Sequence, residues 1–247
     1  MLKKQLEKTV WELDGVKIAV KIYRESRRNV RASIRQSGVI IRMPVFLSED
    51  EEEKQIEHFK NWAHDQLSKS EKLKQRLQTR EYEDGMKLQV GSRKYTIWIE
   101  ESDLKSHKAK IEGNQIFLKL TNQDNEMHRK KAVRHLLSRT ISRDFLPDIR
   151  RRVHEYNQLH MQKDIKSVNL KYNQTNWGSC STRGNINFST RLLFAPDDVV
   201  DYVIVHELAH LVEANHSHRF WKVVSDIMPN YKEKEKWLKE NNHLCDF

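Results

Sequence analysis

Residues 201–221 read DYVIVHELAHLVEANHSHRFW, and this stretch decides the fold around it. Its first half has the spacing of a helix in which His206 and His210, four residues apart, lie on the same face. Glu207 is next to the first histidine, and most of the neighbouring side chains are apolar. A helix that is apolar on most sides is a buried helix. The stretch therefore predicts a buried helix that brings two imidazoles and a carboxylate together.

The pattern His-Glu-x-x-His on a helix suits a zinc ion. Two imidazoles one turn apart reach a single ion, and zinc lowers the pKa of a bound water towards about 7. A carboxylate beside it can then accept a proton from that water as a general base. Buried histidines and a buried glutamate also need polar partners, which a shared ion supplies. We therefore predict Zn²⁺ as the cofactor, His206 and His210 as its ligands, and Glu207 as the catalytic base.

A catalytic zinc usually has three protein ligands and one open position, and His216 is the natural third ligand. It lies ten residues after His206, and in an unbroken helix ten residues climb about 15 Å, too far for a common ligand sphere. The chain must therefore reverse before His216, and Asn215 suits such a turn because asparagine tolerates the left-handed conformation. Glu213, His218 or an acidic residue on a later helix are the alternatives for the third position.

The composition indicates a globular protein with one large domain or two small ones in its 247 residues. The start of the chain lacks the apolar run of a signal peptide, and no apolar run approaches the roughly 20 residues of a membrane span. Cys180 and Cys245 are the two cysteines, too few for a disulfide framework or a zinc ribbon. We expect a cytoplasmic protein with two free thiols and no membrane contact.

The net charge of +10 is spread unevenly. Residues 1–50 and 101–150 each hold eleven Lys and Arg, against six and seven Asp and Glu, whereas residues 201–247 hold six against eight. A basic field of this kind favours anionic partners, so nucleic acid is a possible partner of the amino-terminal two-thirds. An ordinary solvated basic surface is the other interpretation.

The rest of the chain alternates between strand and helix patterns. We predict strands in residues 8–47, strands again in 86–120, and a meander from Ile165 with tight turns at Gly178 and Gly184. Ser48 followed by acidic residues predicts a helix start, and a second helix over residues 124–160 is expected to bend near Pro147. No internal repeat is visible in the sequence. Histidines outside the 206–216 segment, His107 and His135 among them, are interpreted as structural or solvated.

The carboxy-terminal third resembles the YgjP-like metallopeptidase family, a relative of the SprT-like and small zincin-type proteases. The resemblance is carried by Trp177-Gly178-Ser179-Cys180, Gly184, Pro196, the HELAH run, and Asn215-His216-Ser217 with Phe220-Trp221. Arg31 to Pro44 also looks like the family, with a basic strand, a glycine and an Arg-x-Pro element. His218 departs from the pattern, since family members often have proline there.

The resemblance implies His206, His210 and His216 as zinc ligands and Glu207 as the catalytic glutamate. It implies an α+β fold in which a small β-rich region with one long helix, residues 1–120, precedes a zincin-like domain, residues 121–247, with a short antiparallel sheet and the active-site helix. Trp177, Gly178 and Ser179 are candidates for lining a substrate cleft, or else form a packing turn. Tyr231 is a weaker candidate for stabilising the oxyanion. Cys180 has no neighbour in sequence that supports a role as nucleophile or ligand.

Two functions compete at this point. The first is a zinc metallopeptidase that acts on a peptide or protein substrate, with a metal-activated water and a glutamate base. The second is a non-enzymatic, basic protein that associates with nucleic acid and has a structural zinc site. The two could also coexist in one chain, as the analogy with SprT-like proteases suggests.

Overall fold

The computed structural model describes residues 5–35, 38–70, 73, 74, 77 and 80–247 of the chain. The chain divides into two compact units, Met1–Arg80 and Glu81–Phe247. The boundary predicted from the sequence, between residues 120 and 121, lies later than the observed one. The reason is that the strands of residues 87–121 bury their apolar side chains in the same core as the helix that follows them.

The first unit contains a four-stranded sheet and a helix, α1 (Glu49–Ser68). The strands are β1 (Gln5–Leu13), β2 (Val16–Glu25), β3 (Arg31–Arg35) and β4 (Gly38–Pro44), in the order β1-β2-β4-β3. Ser48 caps α1, as the sequence predicted, and it does so in a reciprocal capping box with Glu51. The Arg-x-Pro element ends β4, and residues 36 and 37 of the Arg31 to Pro44 segment lie outside the described residues.

The second unit begins with a sheet of the same strand order. Its strands are β5 (Lys87–Val90), β6 (Arg93–Ser102), β7 (Lys108–Glu112) and β8 (Gln115–Thr121), in the order β5-β6-β8-β7. In both sheets the two central strands are parallel and each outer strand is antiparallel to its neighbour. The structure therefore contains a repeated topology that the sequence did not reveal, because the side chains differ while the pairing is the same.

A long helix, α2 (Glu126–Tyr156), follows and packs on the second sheet. Pro147 lies inside it and does not end it. The helix continues into one π-helical turn, Asn157–Met161, which stops at Gln162 in the left-handed conformation. Asn157 fixes this end, because its side chain both donates to and accepts from the backbone of Lys163, at 2.8 and 3.1 Å.

The remaining elements build the layer that holds the candidate site. A three-stranded sheet has the order β10-β11-β9, and the elements after it are short helices. Their bounds are β9 (Ser167–Lys171), β10 (Gly178–Cys180), β11 (Asn185–Ser189), a 3₁₀ turn (Thr190–Phe194), α3 (Asp197–Ala209), α4 (His218–Ile227), α5 (Tyr231–Asn241) and a last 3₁₀ turn (Asn242–Leu244).

The predicted α+β class is confirmed, and two details of the prediction are corrected. The short sheet is mixed rather than antiparallel, because β11 pairs antiparallel with β10 but parallel with β9. Gly184 makes a turn at φ +74°, as expected, whereas Gly178 is the first residue of a strand. No helix in the described part of the chain combines the length and the apolar character that crossing a membrane requires.

Candidate metal centre

Helix α3 is buried because its apolar residues occupy most of its surface. Val203, Ile204, Val205, Leu208 and Ala209 are each no more than 3% exposed. Glu207 is 5% exposed and His206 is partly buried, so this helix carries its polar residues into the interior. Apolar neighbours of this kind stabilise the buried helix but offer no hydrogen bonds, so the side chains of His206 and Glu207 need other polar partners.

The chain reverses directly after α3, which brings His216 back towards the helix. The helix ends at Ala209, and the next amides form tight turns, with the Leu211 N–H donating to the Leu208 carbonyl at 2.9 Å. The Ser217 N–H donates to the Asn215 carbonyl at 2.7 Å, and Ser217 then caps α4. The prediction of a left-handed Asn215 is wrong. Tight hydrogen-bonded turns make the reversal instead, and the described non-glycine residues with positive φ are Asp14 and Gln162.

The three predicted histidines converge. One ligand nitrogen from each of His206, His210 and His216 lies within 4.8 Å of the others. The Nε2 atoms of His206 and His216 are 3.1 Å apart. Two nitrogens on one tetrahedral zinc, each at about 2.0–2.1 Å from it, are separated by about 3.3 Å, so this pair is already close to the spacing that a shared ion needs. The alternatives Glu213 and His218 do not join the cluster.

The protonation of the histidines also fits a metal. Burial, followed by the neighbouring His210 and His216, lowers the pKa of His206 to about 4. Burial and His216 lower the pKa of His210 as well. Imidazole binds a metal in its neutral form, so these shifts favour ligation. The Nδ1 of His210 lies 3.4 Å from the carbonyl of Glu213, and donation to that carbonyl leaves Nε2 unprotonated.

Burial affects two polar groups at the centre, His206 and Glu207. The Nδ1 of His206 is buried without a hydrogen bond. Burial raises the pKa of Glu207 to about 8. A cation bound beside this carboxylate would counter the effect of burial and favour the charged form. Three imidazoles and one buried carboxylate therefore form a set of groups that fits a divalent metal.

Strand β10 lies directly against Glu207. A Cβ atom added at Gly178 would lie 2.4 Å from Oε1 of Glu207 and 2.6 Å from its Cγ, so only glycine leaves room for this carboxylate. Burial and the charge of Glu207 raise the pKa of Cys180 to about 11. The thiol therefore stays protonated at neutral pH, which is the opposite of what a nucleophile or a metal ligand requires.

An aromatic shell surrounds the histidines. Phe220 packs on His210 and His206 at ring distances of 4.6 and 4.9 Å, and Trp221 stacks on His216 at 5.7 Å. Tyr231 stacks on Trp221 at 5.2 Å and on Tyr202 at 6.4 Å. The sequence linked Phe220 and Trp221 to His216 only through the family resemblance, and their position shortly after His216 is the signal that they flank the site.

Of the predicted cleft residues, Trp177 is the one with a clear structural role. Its ring lies 5.0 Å below the guanidinium of Arg191, and it is partly buried against the core. Ser179 is exposed, and its Oγ accepts a hydrogen bond from Asn187 at 3.4 Å. Gly178 thus lies beside Glu207 on β10, and Trp177 anchors the start of that strand.

Arg191 was missed by the sequence analysis. It is 2% exposed, and its guanidinium donates to the carbonyls of Cys245, Gln174 and Asn242 at 2.7, 3.2 and 2.8 Å. It also donates to the side chain of Asn242. Arg191 thereby ties the loop before Trp177 to the carboxy-terminal residues. No local pattern distinguishes it from an ordinary surface arginine, because all of its partners are distant in sequence.

Comparison with known proteins gives three results. The family model described as YgjP-like, metallopeptidase domain, matches residues 28–241. A protein of Escherichia coli (strain K12) named UTP pyrophosphatase is 27% identical over 79 residues, which are 32% of this chain and 47% of that relative, so the match spans about half of the relative's length. The crystal structure of the metallopeptidase zymogen of Pyrococcus abyssi abylysin is similar with 20% identity and a TM-score of 0.34, over 37% of this chain and 93% of that one.

Proposed function

The chain belongs to the YgjP-like metallopeptidase family, a family of metal-dependent hydrolases, and on this premise we propose that it is a zinc-dependent peptidase. In this proposal His206, His210 and His216 hold the zinc and Glu207 is the general base. The observation that carries it is the convergence of three imidazoles, with a buried carboxylate next in sequence to the first of them on the same helix. We also propose that it acts in the cytoplasm, where Cys180 and Cys245 remain the free thiols that the structure contains.

The donor set supports a catalytic rather than a structural zinc. Structural zinc sites have four protein ligands, whereas catalytic sites have three and an open position. In the described residues no fourth histidine, cysteine or acidic side chain joins the cluster of three. His216 is exposed while His206 is partly buried, so the cluster opens to solvent on the side of His216. A substrate therefore has access to the fourth position.

The chemistry divides between the metal and the chain. A bound zinc lowers the pKa of a water molecule and polarises a carbonyl group. Glu207 accepts the proton of the attacking water and passes it to the leaving amine. Its burial and the close backbone of Gly178 hold this carboxylate in one place, which is what a proton transfer between two fixed positions requires. Trp221 and Phe220 fix the rings of the ligands.

Strand β10 is proposed to bind the substrate. It is an edge strand of its sheet, and it lies beside Glu207. An extended peptide can add to a free strand edge through main-chain hydrogen bonds, which bind many sequences with little preference for side chains. Ser179 on this strand is exposed and is proposed to face the bound peptide. Tyr231 is proposed as a wall residue of the aromatic shell, because its ring stacks on Trp221.

The test of this function is Glu207→Gln, with Glu213→Gln as the matched control. Glu213 lies on the turn after α3, and its side chain is not part of the metal cluster. Glu207→Gln should abolish cleavage of a denatured protein or a peptide library and keep nearly one zinc per chain by metal analysis. Glu213→Gln should keep both. Loss of zinc in Glu207→Gln, with activity that tracks the zinc content, would assign Glu207 to ligation and overturn its role as base.

The E. coli relative provides a second candidate function. Its name, UTP pyrophosphatase, describes hydrolysis of a phosphoanhydride. A metal with a general base directs water to phosphorus as well as to a carbonyl. Assays of pyrophosphate release from UTP with the wild type, Glu207→Gln and Glu213→Gln would separate the two. Glutamate-dependent UTP hydrolysis without cleavage of any peptide would replace the peptidase proposal.

The non-enzymatic alternative rests on the net charge of +10. It requires salt-dependent binding of nucleic acid and a zinc that no substrate can reach. Binding of DNA by the wild type, with no hydrolysis of peptides or UTP, would favour it. The open position of the histidine cluster supports the enzymatic proposal over this one.

A further inference from the structure

A second cleft lies in the Glu81–Phe247 unit, and none of its lining residues belongs to the histidine cluster. Its volume is about 800 Å³. It is lined by the loop before β7, the segment after β8, one face of α2, and the end of β9. Clefts of about 300–1,000 Å³ are the usual size of small-molecule sites. The cleft is therefore large enough for a ligand with several functional groups.

The wall of this cleft carries an excess of positive charge. Lys105, Arg139 and Lys171 come from three different elements and line it together. All three are exposed, and within the described residues none of them has a carboxylate partner. This contrasts with Arg129 and Lys130 on the same helix, which pair with Glu101 and Glu81. Three unpaired cations on one concave surface focus a positive potential.

The one carboxylate on the wall is already engaged. Asp124 accepts a hydrogen bond from Nε2 of His107 at 2.7 Å. The other ring nitrogen of His107 accepts from the backbone N–H of Thr121 at 3.2 Å, which requires the proton to be on Nε2. Asp124 is thus held by His107 at the rim. Three cations against one carboxylate leave a formal excess of two positive charges.

Neutral donors complete the wall. Ser138 and Thr190 are 3% and 1% exposed, and their hydroxyl oxygens are 2.8 Å apart. Only one of the two hydrogens is used in this contact, so the other hydroxyl can donate elsewhere. Tyr172 is fixed by donating to Asp246 at 2.8 Å, and its ring meets the edge of His135 at 5.8 Å. Burial, Lys131 and Arg134 lower the pKa of His135, so this ring is neutral and adds an aromatic surface.

We propose that this cleft, with Lys105, Arg139 and Lys171 as its cations, is a second ligand site that binds a compact anion whose charge is carried by several phosphate groups. Arginine binds phosphate through a fork of N–H donors and lysine binds it as a point charge, so together they suit a chain of phosphates better than a single carboxylate. The ligand is either a free polyphosphate or the phosphate chain of a nucleotide, for which the rings of Tyr172 and His135 offer a surface to the base.

The test is calorimetric titration of full-length, zinc-loaded protein with inorganic tripolyphosphate. The double variant Arg139→Glu/Lys171→Glu should weaken binding about tenfold or more, since a hydrogen bond to a charged group contributes at least that factor. The control, Lys87→Glu/Lys94→Glu, makes the same change in net charge on exposed residues of β5 and β6. It should change the affinity by less than about threefold. Arg139→Gln/Lys171→Gln should show the same loss as the first variant, and circular dichroism checks that all variants fold.

Further titrations with other ligands identify the source of the phosphate. Tighter binding of UTP or ATP than of tripolyphosphate, with no binding of uridine alone, identifies a nucleotide; equal binding identifies the polyphosphate chain. Absence of tripolyphosphate binding, or equal losses in the cleft and control variants, would overturn the proposal. The proposal would also be overturned if Arg139→Glu/Lys171→Glu kept tripolyphosphate binding and His216→Ala lost it, because the anion would then be held at the metal. These results do not depend on whether the protein cleaves peptides.

Discussion

The close approach of Gly178 to Glu207 leads to a prediction that needs no substrate. In Gly178→Ala the new Cβ would lie 2.4 Å from Oε1, 2.6 Å from Cγ and 2.7 Å from Cδ of Glu207. Carbon atoms in normal contact are about 3.5 Å apart, so the carboxylate or the strand must move by about 1 Å. Overpacking of this size costs about 1–3 kcal/mol. We expect Tm to fall by roughly 2–12 °C, at about 2–4 °C for each kcal/mol.

The same displacement should impair catalysis. A misplacement of about 1 Å at a catalytic group can lower the rate about a hundredfold. Gly178→Ala should therefore bind zinc, since it leaves the three histidines untouched, but lose most of the hydrolytic activity that depends on Glu207. Gly113→Ala is the matched control: it adds backbone strain at φ +58° with no atom within 4 Å of the new Cβ. It should lower Tm slightly and leave activity unchanged.

A double-mutant cycle isolates the contact. Glu207→Ala removes all three atoms that the new Cβ would meet, so Gly178→Ala should cost about 1–3 kcal/mol less in that background than in the wild type. Denaturant unfolding of the four proteins measures this difference. An equal cost of Gly178→Ala in both backgrounds would refute the reasoning, because it would show that Glu207 does not occupy the space beside the strand.

Two further predictions concern the metal and the buried arginine. Chelation of the metal should lower the Tm of the wild type, since an ion present at about a thousand times its dissociation constant stabilises the fold by roughly 4 kcal/mol. His216→Ala should bind little zinc, and its Tm should not fall further with chelator. A wild type whose Tm does not respond to chelator would contradict a shared ion. Arg191→Ala should destabilise the chain by about 3 kcal/mol or more, because it leaves several carbonyls buried without donors. Its Tm should fall by about 6–12 °C, and that of Arg191→Lys by less. A fall in Tm of less than about 2 °C in Arg191→Ala would show that water replaces the lost donors.

The sequence predicted the features that depend on local spacing. The burial of α3, the side-by-side imidazoles of His206 and His210, and the Ser48 cap follow from periodicity and residue type over a few positions. The return of His216 towards these two imidazoles could be predicted as well, because a common ligand sphere would force the chain to reverse after the helix. The predicted zinc, the peptide substrate and the nucleic-acid partner depend on chemistry that spacing does not determine, and they stay predictions.

The errors share a different cause. Gly178 was assigned to a turn because glycine is common in turns, yet it is required by a contact with Glu207 that only the folded chain creates. Asn215 was assigned a left-handed conformation from its residue type, while consecutive tight turns made the reversal. Arg191 and the shared core of β5–β8 with α2 also depend on partners far away in sequence. Long-range contacts of this kind leave no local pattern.

The two sheets with the same strand order have a consequence for how the chain folds. A polypeptide that uses one arrangement twice risks exchanging strands between the copies, which is a characteristic way for tandem repeats to misassemble. Here the two sheets have different side chains, and each buries them in a separate apolar cluster. Those differences give each strand one correct neighbour, so the same connectivity can occur twice in one chain without the two sheets competing for each other's strands.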